Sequence, residues 1–339
     1  FALIDFIFLL LNAVSLGAFA SINDYVVKQW STLDGLASQS LKSVVQDKQG
    51  YIWIGTQFGL SRFDGQQFTN FTTSNSKFLP SNSINKLMLD RDGLLWVGTK
   101  KGLVRLDPKS LSFKKYNVKG PVRDILEDND NRIWIAANGL YLFSQDKFKS
   151  LNQIISGISS NRDWVDPQVR YRSDREKQNA ISQLIGSVNK MALSPEGIWL
   201  INNRFLLRLT NLSDDPGAAL RLEITAKVSL PERLGQAIVY DLSWIDGNLY
   251  LASELGAYFL DFLGANFLDV DEELRPFALP HRSNKAVYKF MSDADGALWV
   301  SSYGRLFYRD DSGEWQWIEP TQLGQNIWFS DIFQDREKN

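Results

Sequence analysis

The chain has no cysteine, a single histidine and three methionines among its 339 residues. Without thiols, disulfides and thiolate metal sites are excluded, so the core alone must hold the fold. One histidine, His281, rules out a histidine-based zinc or non-haem iron centre within one chain. A Ser-His-Asp triad would have to use that residue, which sits in Leu279-Pro280-His281-Arg282 and reads as an ordinary loop residue. There is no P-loop and no G-x-G-x-x-G, so nucleotide binding by those routes has no support. The S-x-x-K spacings at Ser83 to Lys86 and Ser187 to Lys190 lack the companion motifs that would give them a role. Charge of one sign is missing too. The 37 basic and 39 acidic residues are scattered and sum to −2, which leaves no basic stripe for nucleic acid. Nothing in the sequence calls for a cofactor or a metal.

What the chain does have is apolar and aromatic. Hydrophobic residues make up 44% and charged residues 22%, a balance that builds a core and argues against disorder. Eleven Trp, eleven Tyr and 21 Phe recur within short β-like runs rather than on helical stripes. Residues 1–20 are almost wholly apolar, broken by Asp5 and Asn12, and end in Ala18-Phe19-Ala20. That is an h-region followed by an A-x-A cleavage site, so a secretory signal peptide is expected there, its basic n-region missing because the sequence begins with Phe1. A transmembrane anchor is the rival reading, countered by the short apolar core and by Asp5.

The rest repeats. Asp47-Lys48-Gln49-Gly50-Tyr51-Ile52-Trp53-Ile54-Gly55-Thr56, followed by Gly59-Leu60, returns as Asp90-Arg91-Asp92-Gly93-Leu94-Leu95-Trp96-Val97-Gly98-Thr99, followed by Gly102-Leu103. A third copy runs from Asp124 through Trp134 to Tyr141, and fainter ones centre on Trp199, Tyr250 and Trp299. The aromatics are 43, 38, 65, 51 and 49 residues apart, and a seventh copy starts at Asp331 and stops at Asn339. A period of about 40 to 50 residues built from short strands signals a β-propeller. Each unit reads as four strands: a (Ser43 to Gln46), an acidic turn, b (Tyr51 to Thr56), c (Leu60 to Phe63) and d (Gln67 to Phe71). Both faces of strand b are expected to pack between blades, with the glycines after Ile54 and Val97 admitting a neighbour's backbone or aromatic ring. Tyr25 to Trp30 reads as an outer strand able to close the ring. The fold expected is all-β, a propeller over 21–339, seven-bladed in the intact protein with its last blade cut short. An insertion lies around 144–188, with a short helix over Gln178 to Val188.

An acidic turn, Gly, aliphatic, Trp, aliphatic, Gly-Thr and then Gly-Leu resembles the two-component regulator propeller repeat. The match is good over Asp47 to Asp64 and Asp90 to Asp107, and loose around Trp199 and Tyr250. The resemblance implies a periplasmic, ligand-sensing input region of an inner-membrane receptor. In that family such propellers precede a β-sandwich, a membrane helix and a histidine kinase or diguanylate cyclase, parts absent from this sequence. Membrane attachment would therefore run only through those parts. A secreted propeller enzyme, lyase or glycosidase, and an adhesion or scaffold propeller share the fold and stay open.

The acidic runs Asp90 to Gly93 and Glu127 to Asn131 fall at a-b hairpins, where backbone geometry asks for them, rather than marking calcium sites. If a ligand binds, the b-c and d-a loops emerge on one face and converge on the axis. The candidate binding residues are Gln57, Phe58, Lys100, Lys101, Asn138, Asn203, Arg204, Glu254 and Tyr303, with Asn82 and Arg123 from d-a loops. Polar groups beside exposed aromatics suit a small molecule or an oligosaccharide. Trp164, Trp315 and Trp317 lie off the repeat and are freer to make contacts. A rigid ring signals only by changing its contacts with a neighbour, so a homodimer is expected.

Overall fold

The computed structural model describes residues 28–144, 147–150, 153, 158–159, 174–211, 222–261, 274–280, 286–310, 312–318 and 330–336. Over these the chain folds into six consecutive antiparallel blades. Blade 1 is β1 (Leu41–Gln46), β2 (Ile52–Thr56), β3 (Leu60–Phe63) and β4 (Phe68–Phe71), and blade 2 is β5 (Ile84–Leu89), β6 (Leu95–Thr99), β7 (Gly102–Leu106) and β8 (Phe113–Tyr116). Blade 3 is β9 (Asp124–Glu127), β10 (Ile133–Ala137), β11 (Gly139–Ser144) and β12 (Lys147–Ser150). The insertion supplies β13 (Ile158–Ser159) and helix α1 (Asp174–Ile185). Blade 4 is β14 (Lys190–Ser194), β15 (Gly197–Ile201), β16 (Phe205–Asn211) and β17 (Leu222–Ser229), after which comes the short helix α2 (Glu232–Gln236). Blade 5 is β18 (Val239–Ile245), β19 (Asn248–Ser253), β20 (Gly256–Asp261) and β21 (Arg275–Phe277), and blade 6 is β22 (Val287–Ser292), β23 (Leu298–Ser302), β24 (Arg305–Arg309) and β25 (Trp315–Ile318). The first strands pack side by side in order, β1 on β5, β5 on β9, β9 on β14, β14 on β18 and β18 on β22.

One side-chain pair explains why the repeat looks as it does. The indole N–H of Trp53 donates to Asp47 Oδ2 at 2.7 Å, and Trp96, Trp134 and Trp299 donate in the same way to Asp90, Asp128 and Asp293, each at 2.8 Å. The other carboxylate oxygen closes the a-b turn: Asp47 Oδ1 accepts from the backbone of Gln49 and Tyr51, and Asp293 Oδ1 from that of Asp295 and Ala297. Each aspartate thus satisfies a buried indole and a turn together, groups that are costly to leave unpaired. The turn itself needs a left-handed residue, supplied by Gly50, Gly93 and Gly296 at φ 92°, 88° and 89°. All five residues of β2, β6, β10 and β23 are buried, as the two-faced packing of strand b requires.

The strand-b glycines do admit a close neighbour, but it is an aliphatic side chain at or just ahead of the next blade's first strand, not backbone or an aromatic ring. A Cβ on Gly98 would lie 2.6 Å from Val122 Cγ1, and one on Gly55 2.7 Å from Ile84 Cγ2. Gly98→Ala is therefore expected to cost about 1–3 kcal/mol by overpacking. Equilibrium unfolding in urea checks this, and an unchanged midpoint would show that the blades move apart freely.

Three expectations change in detail. Blade 4 has five strands, because β13 pairs in parallel with the outer edge of β17. The helix in the insertion begins four residues earlier than its apolar pattern predicts and ends at Ile185, where Asn202 Nδ2 donates to the carbonyls of Leu184 and Ile185 at 2.9 Å each. Its Ile181, Leu184 and Ile185 wedge among Trp134, Ala136 and Leu140 of blade 3 and Met191, Ile198 and Leu200 of blade 4. Of the run expected as a closing outer strand, residues 25–27 lie outside the described residues and 28–30 belong to no strand. Trp30 instead packs edge-on against Phe63, ring centroids 5.0 Å apart.

Residues 330–336 run between blades 6 and 1. Asp331 Oδ2 accepts from Val44 N at 3.0 Å in blade 1, while Gln334 Oε1 accepts from Ala294 N at 2.7 Å in blade 6. Residues 1–20 and His281 lie outside the described residues, as does Trp164. Trp315 and Trp317 are half-buried against the core of blades 5 and 6 rather than presented to solvent. Among the described residues no helix is long and apolar enough to cross a membrane, and no three His, Asp or Glu side chains cluster as metal ligands.

Candidate functional site

The first strand of each blade walls the central channel, and an irregularity aims its side chains there. In blades 1, 2, 5 and 6 the register between the first two strands slips by one residue, between Leu41 and Ser43, Ile84 and Lys86, Val239 and Asp241, and Val287 and Lys289. Such a bulge leaves one residue unopposed and turns its side chain out of the alternation. The residues inserted are Lys42, Asn85, Tyr240 and Tyr288. Arg123 and Asn189 stand just ahead of the first strands of blades 3 and 4. All six line a funnel of about 1140 Å³ that opens on the face of the b-c turns.

The next residue along lies one layer deeper in the channel and alternates in charge. Reading around the ring from blade 2 it is Lys86, Asp124, Lys190, Asp241, Lys289 and Asp331, with Ser43 completing the circle in blade 1. Lys86 Nζ is 2.9 Å from Asp124, and Lys289 Nζ is 3.2 Å from Asp241 and 4.0 Å from Asp331. The acceptors also staple neighbouring blades: Ser43 Oγ accepts from Leu87 N, Asp124 from Met191 N, Asp241 from Phe290 N and Asp331 from Val44 N, at 3.0, 2.8, 3.3 and 3.0 Å. Burial alone would raise the Asp124 carboxyl, but Lys86 and Lys190 overcome it and hold it below the ordinary value. Lys289 goes the other way, since burial is outweighed by Asp241 and Asp331 and its ammonium is held well above the lysine range. Burial wins at Lys190, which is lowered, and at Asp331, which is raised. A second, shallower hollow of about 780 Å³ lies on the opposite face, bordered by Lys86, Asp124, Lys289 and Asp331.

On the funnel wall Tyr240 and Tyr288 stand with ring centroids 4.8 Å apart. Burial, with Tyr240 and Tyr303 nearby, pushes the Tyr288 phenol up to about 12, and burial with Glu254 nearby raises Tyr240, so both are neutral hydrogen-bonding phenols. Arg123 donates to Ala137 O at 2.6 Å and to Asn138 Oδ1 at 2.9 Å, which fixes its guanidinium at the rim.

Of the candidate residues read from the sequence, Phe58, Arg123 and Asn203 line this funnel. Gln57, Lys100, Asn138, Glu254 and Tyr303 lie on the same face but outside the funnel's lining. Each donates its backbone N–H to a carbonyl on the segment ahead of its own blade's first strand, that of Ser40, Ser83, Lys119, Ile238 and Ala286. Strand b lies about 4.8 Å farther from the axis than strand a, so turns leaving it crown the rim rather than the wall. Lys101 and Arg204 are exposed there as well, and Asn82 Oδ1 accepts from Thr73 N at 2.7 Å within its own loop. Sequence reasoning passed over Lys42, Asn85, Asn189, Lys190, Tyr240 and Tyr288. Their signal is positional, for they fall ten or eleven residues ahead of Trp53, Trp96, Trp199, Tyr250 and Trp299, or nine in the case of Lys190.

Comparison with known proteins agrees with this architecture. Residues 35–58, 79–101 and 118–139 match the family described as two component regulator propeller. Histidine kinase P4 of Formosa agariphila is 43% identical over 68 residues, which is 20% of this chain and 5% of that kinase. The extracellular domain of a hybrid two component system from B. thetaiotaomicron superposes with a TM-score of 0.63 at 17% identity, covering 91% of this chain and 39% of that one. Virginiamycin B lyase from Staphylococcus aureus superposes with a TM-score of 0.55 at 13% identity, covering 83% and 84%. The chain thus spans well under half of the kinase and of the hybrid-system domain, and the two superpositions speak for the fold alone. The three matched stretches fall on the first two strands of blades 1 to 3, which are similar to two-component regulator propeller repeats.

Proposed function

We propose that this chain is the extracytoplasmic input region of a two-component signal-transduction receptor, and that it meets its ligand in the funnel at the head of the central channel. The carrying observation is a division of labour within each repeat. The Asp-Trp pair recurs in blades 1, 2, 3 and 6, whereas the funnel-lining position at or just ahead of each blade's first strand varies around the ring: Lys42, Asn85, Arg123, Asn189, Tyr240, Tyr288. A scaffold held constant around one variable, inward-facing column is what a binding site requires. The repeats in blades 1 to 3 and the local likeness to a histidine kinase favour a receptor. On this reading the propeller sits in the periplasm as part of an inner-membrane protein, with a kinase or cyclase output elsewhere in the whole protein. The chain itself carries out no catalysis, and two copies associate to pass the signal on.

Seven blades belong to the same proposal. Asp331 makes to Val44 the contact that Asp241 makes to Phe290 and Asp124 to Met191, which favours residues 330–336 as the inner strand of a further blade.

The test uses the full-length receptor in cells carrying a reporter of its output, grown on a panel of mono- and oligosaccharides. Phe58→Ala and Lys42→Ala remove exposed funnel residues at little cost to the fold. At least one sugar should induce, and these variants should raise the inducing concentration about tenfold or more. Asp92→Ala, exposed on the opposite face, should leave it unchanged. A response insensitive to Phe58 and Lys42 but lost with Asp92 places the ligand on the wrong face.

A further inference from the structure

We propose that the funnel is selective for a small organic anion carrying an uncharged ring, an inference that rests on the funnel being the ligand site. The sign of its lining carries the argument. Among the described residues Lys42, Arg123 and Lys190 line it and no Asp or Glu does, although acidic residues outnumber basic ones in the chain, 39 to 37. Arg123 is held by Ala137 O and Asn138 Oδ1, and Lys190 feels the charge of Asp124 and Asp241, but none of the three sits in a contact ion pair with a described residue. Among the described residues no carboxylate comes within 4.0 Å of any of the three, whereas Lys86 and Lys289 one layer down are paired. Lys190 is the one member of the alternating ring that lines the funnel, while Lys86, Asp124, Lys289 and Asp331 border the opposite hollow. Burial already disfavours the Lys190 charge, and an anion above it would relieve the penalty.

The asparagines of the lining point the same way, because they are engaged with the protein. Asn85 Nδ2 donates to Val122 O at 2.9 Å and Asn189 Nδ2 to Asn203 Oδ1 at 2.6 Å. The lining offers a ligand positive charge on the side of blades 1, 3 and 4, and the rings of Tyr240 and Tyr288 on the side of blades 5 and 6. An anion whose ring lies on the tyrosines while its charged group reaches the lysines and Arg123 satisfies both halves. Opposite charges attract more strongly where water is partly excluded, and salt weakens the attraction.

A matched pair of dyes tests the charge rule without knowledge of the natural ligand. The purified chain is titrated with 8-anilinonaphthalene-1-sulfonate and with N-phenyl-1-naphthylamine, the same rings without the sulfonate, and near-ultraviolet circular dichroism confirms native packing. The sulfonate should bind one to one, at least about tenfold more tightly than its neutral twin, and be displaced by excess inorganic sulfate. Lys42→Gln and Arg123→Gln should each weaken it several-fold while Arg123→Lys retains most of the affinity. If Phe58→Ala and Tyr240→Ala weaken both dyes equally and the cation variants weaken neither, the funnel is a site but not an anion site, and this proposal falls while the functional reading stands. If no funnel variant alters either dye, or neither dye binds, both fall.

Discussion

Trp53→Ala is expected to remove about 3–5 kcal/mol of stability, measured as the shift of the urea or thermal unfolding transition. The side chain is fully buried and packs against Leu87, Leu95, Val97 and Leu106 of blade 2, with Phe71 of its own blade stacked 5.7 Å away. Truncation opens an inter-blade cavity that strands on both sides cannot close, because each is held in its own sheet. The change also strands Asp47, whose Oδ2 loses the indole donor at the protein's interior. Asp47→Ala separates the two contributions. It keeps the packing but leaves the indole and the turn amides of Gln49 and Tyr51 without their acceptor, an effect of about 1–3 kcal/mol. If the two changes made together cost no more than Trp53→Ala alone, the aspartate serves chiefly to hold that tryptophan. A loss of only a few tenths for Trp53→Ala would mean that blades 1 and 2 do not depend on each other.

That pairing marks where sequence reasoning reaches and where it stops. The spacing of six residues from Asp to Trp is plain in the sequence at 47 and 53, 90 and 96, 128 and 134, and 293 and 299. Read locally, each aspartate is a turn former and each tryptophan a packing residue, and both statements hold without revealing that the two bond. Blades 4 and 5 carry Ser194 and Ile245 at the aspartate position, two residues past the one opposite Trp199 or Tyr250, and their a-b turns are shorter, which is why their repeats look faint although their strands form. Local pattern sets the strands, since alternation and turn chemistry lie within a few residues of one another. The funnel was less legible because a bulge is a property of register between two strands, visible only once Leu41 is opposite Thr56 and Ser43 opposite Gly55. The fifth strand of blade 4 was out of reach for a similar reason: Ile158 pairs with Leu222, far along the chain, across a parallel edge with no turn to announce it.

Lys289→Met should cost about 3–5 kcal/mol near neutral pH, because removing one partner of a buried charge pair leaves the other uncompensated. Here it leaves two. Asp241 and Asp331 both lie within 4.0 Å of the ammonium, and their side chains are 8% and 12% exposed. The sign of the pH dependence follows from the groups involved. Lys289 is held above its ordinary value of 10.5, so its contribution is complete below that pH and is lost only as pH rises through the raised value. In the variant the two carboxylates face each other without a cation, which raises them, so acidification neutralises them and lifts the penalty. The gap between wild type and variant should therefore be widest from neutral to mildly alkaline pH, and should narrow both in acid and above 10.5. Adding Asp241→Asn to Lys289→Met should recover a large part of the loss, since the amide oxygen can still accept from Phe290 N. Asp331→Asn alone should cost little, as burial already raises that carboxyl and the amide keeps an acceptor for Val44 N. A gap that stays below about 1 kcal/mol at every pH would mean that water screens the ring as it does a surface pair, and that the backbone staples alone join blade 6 to blade 1.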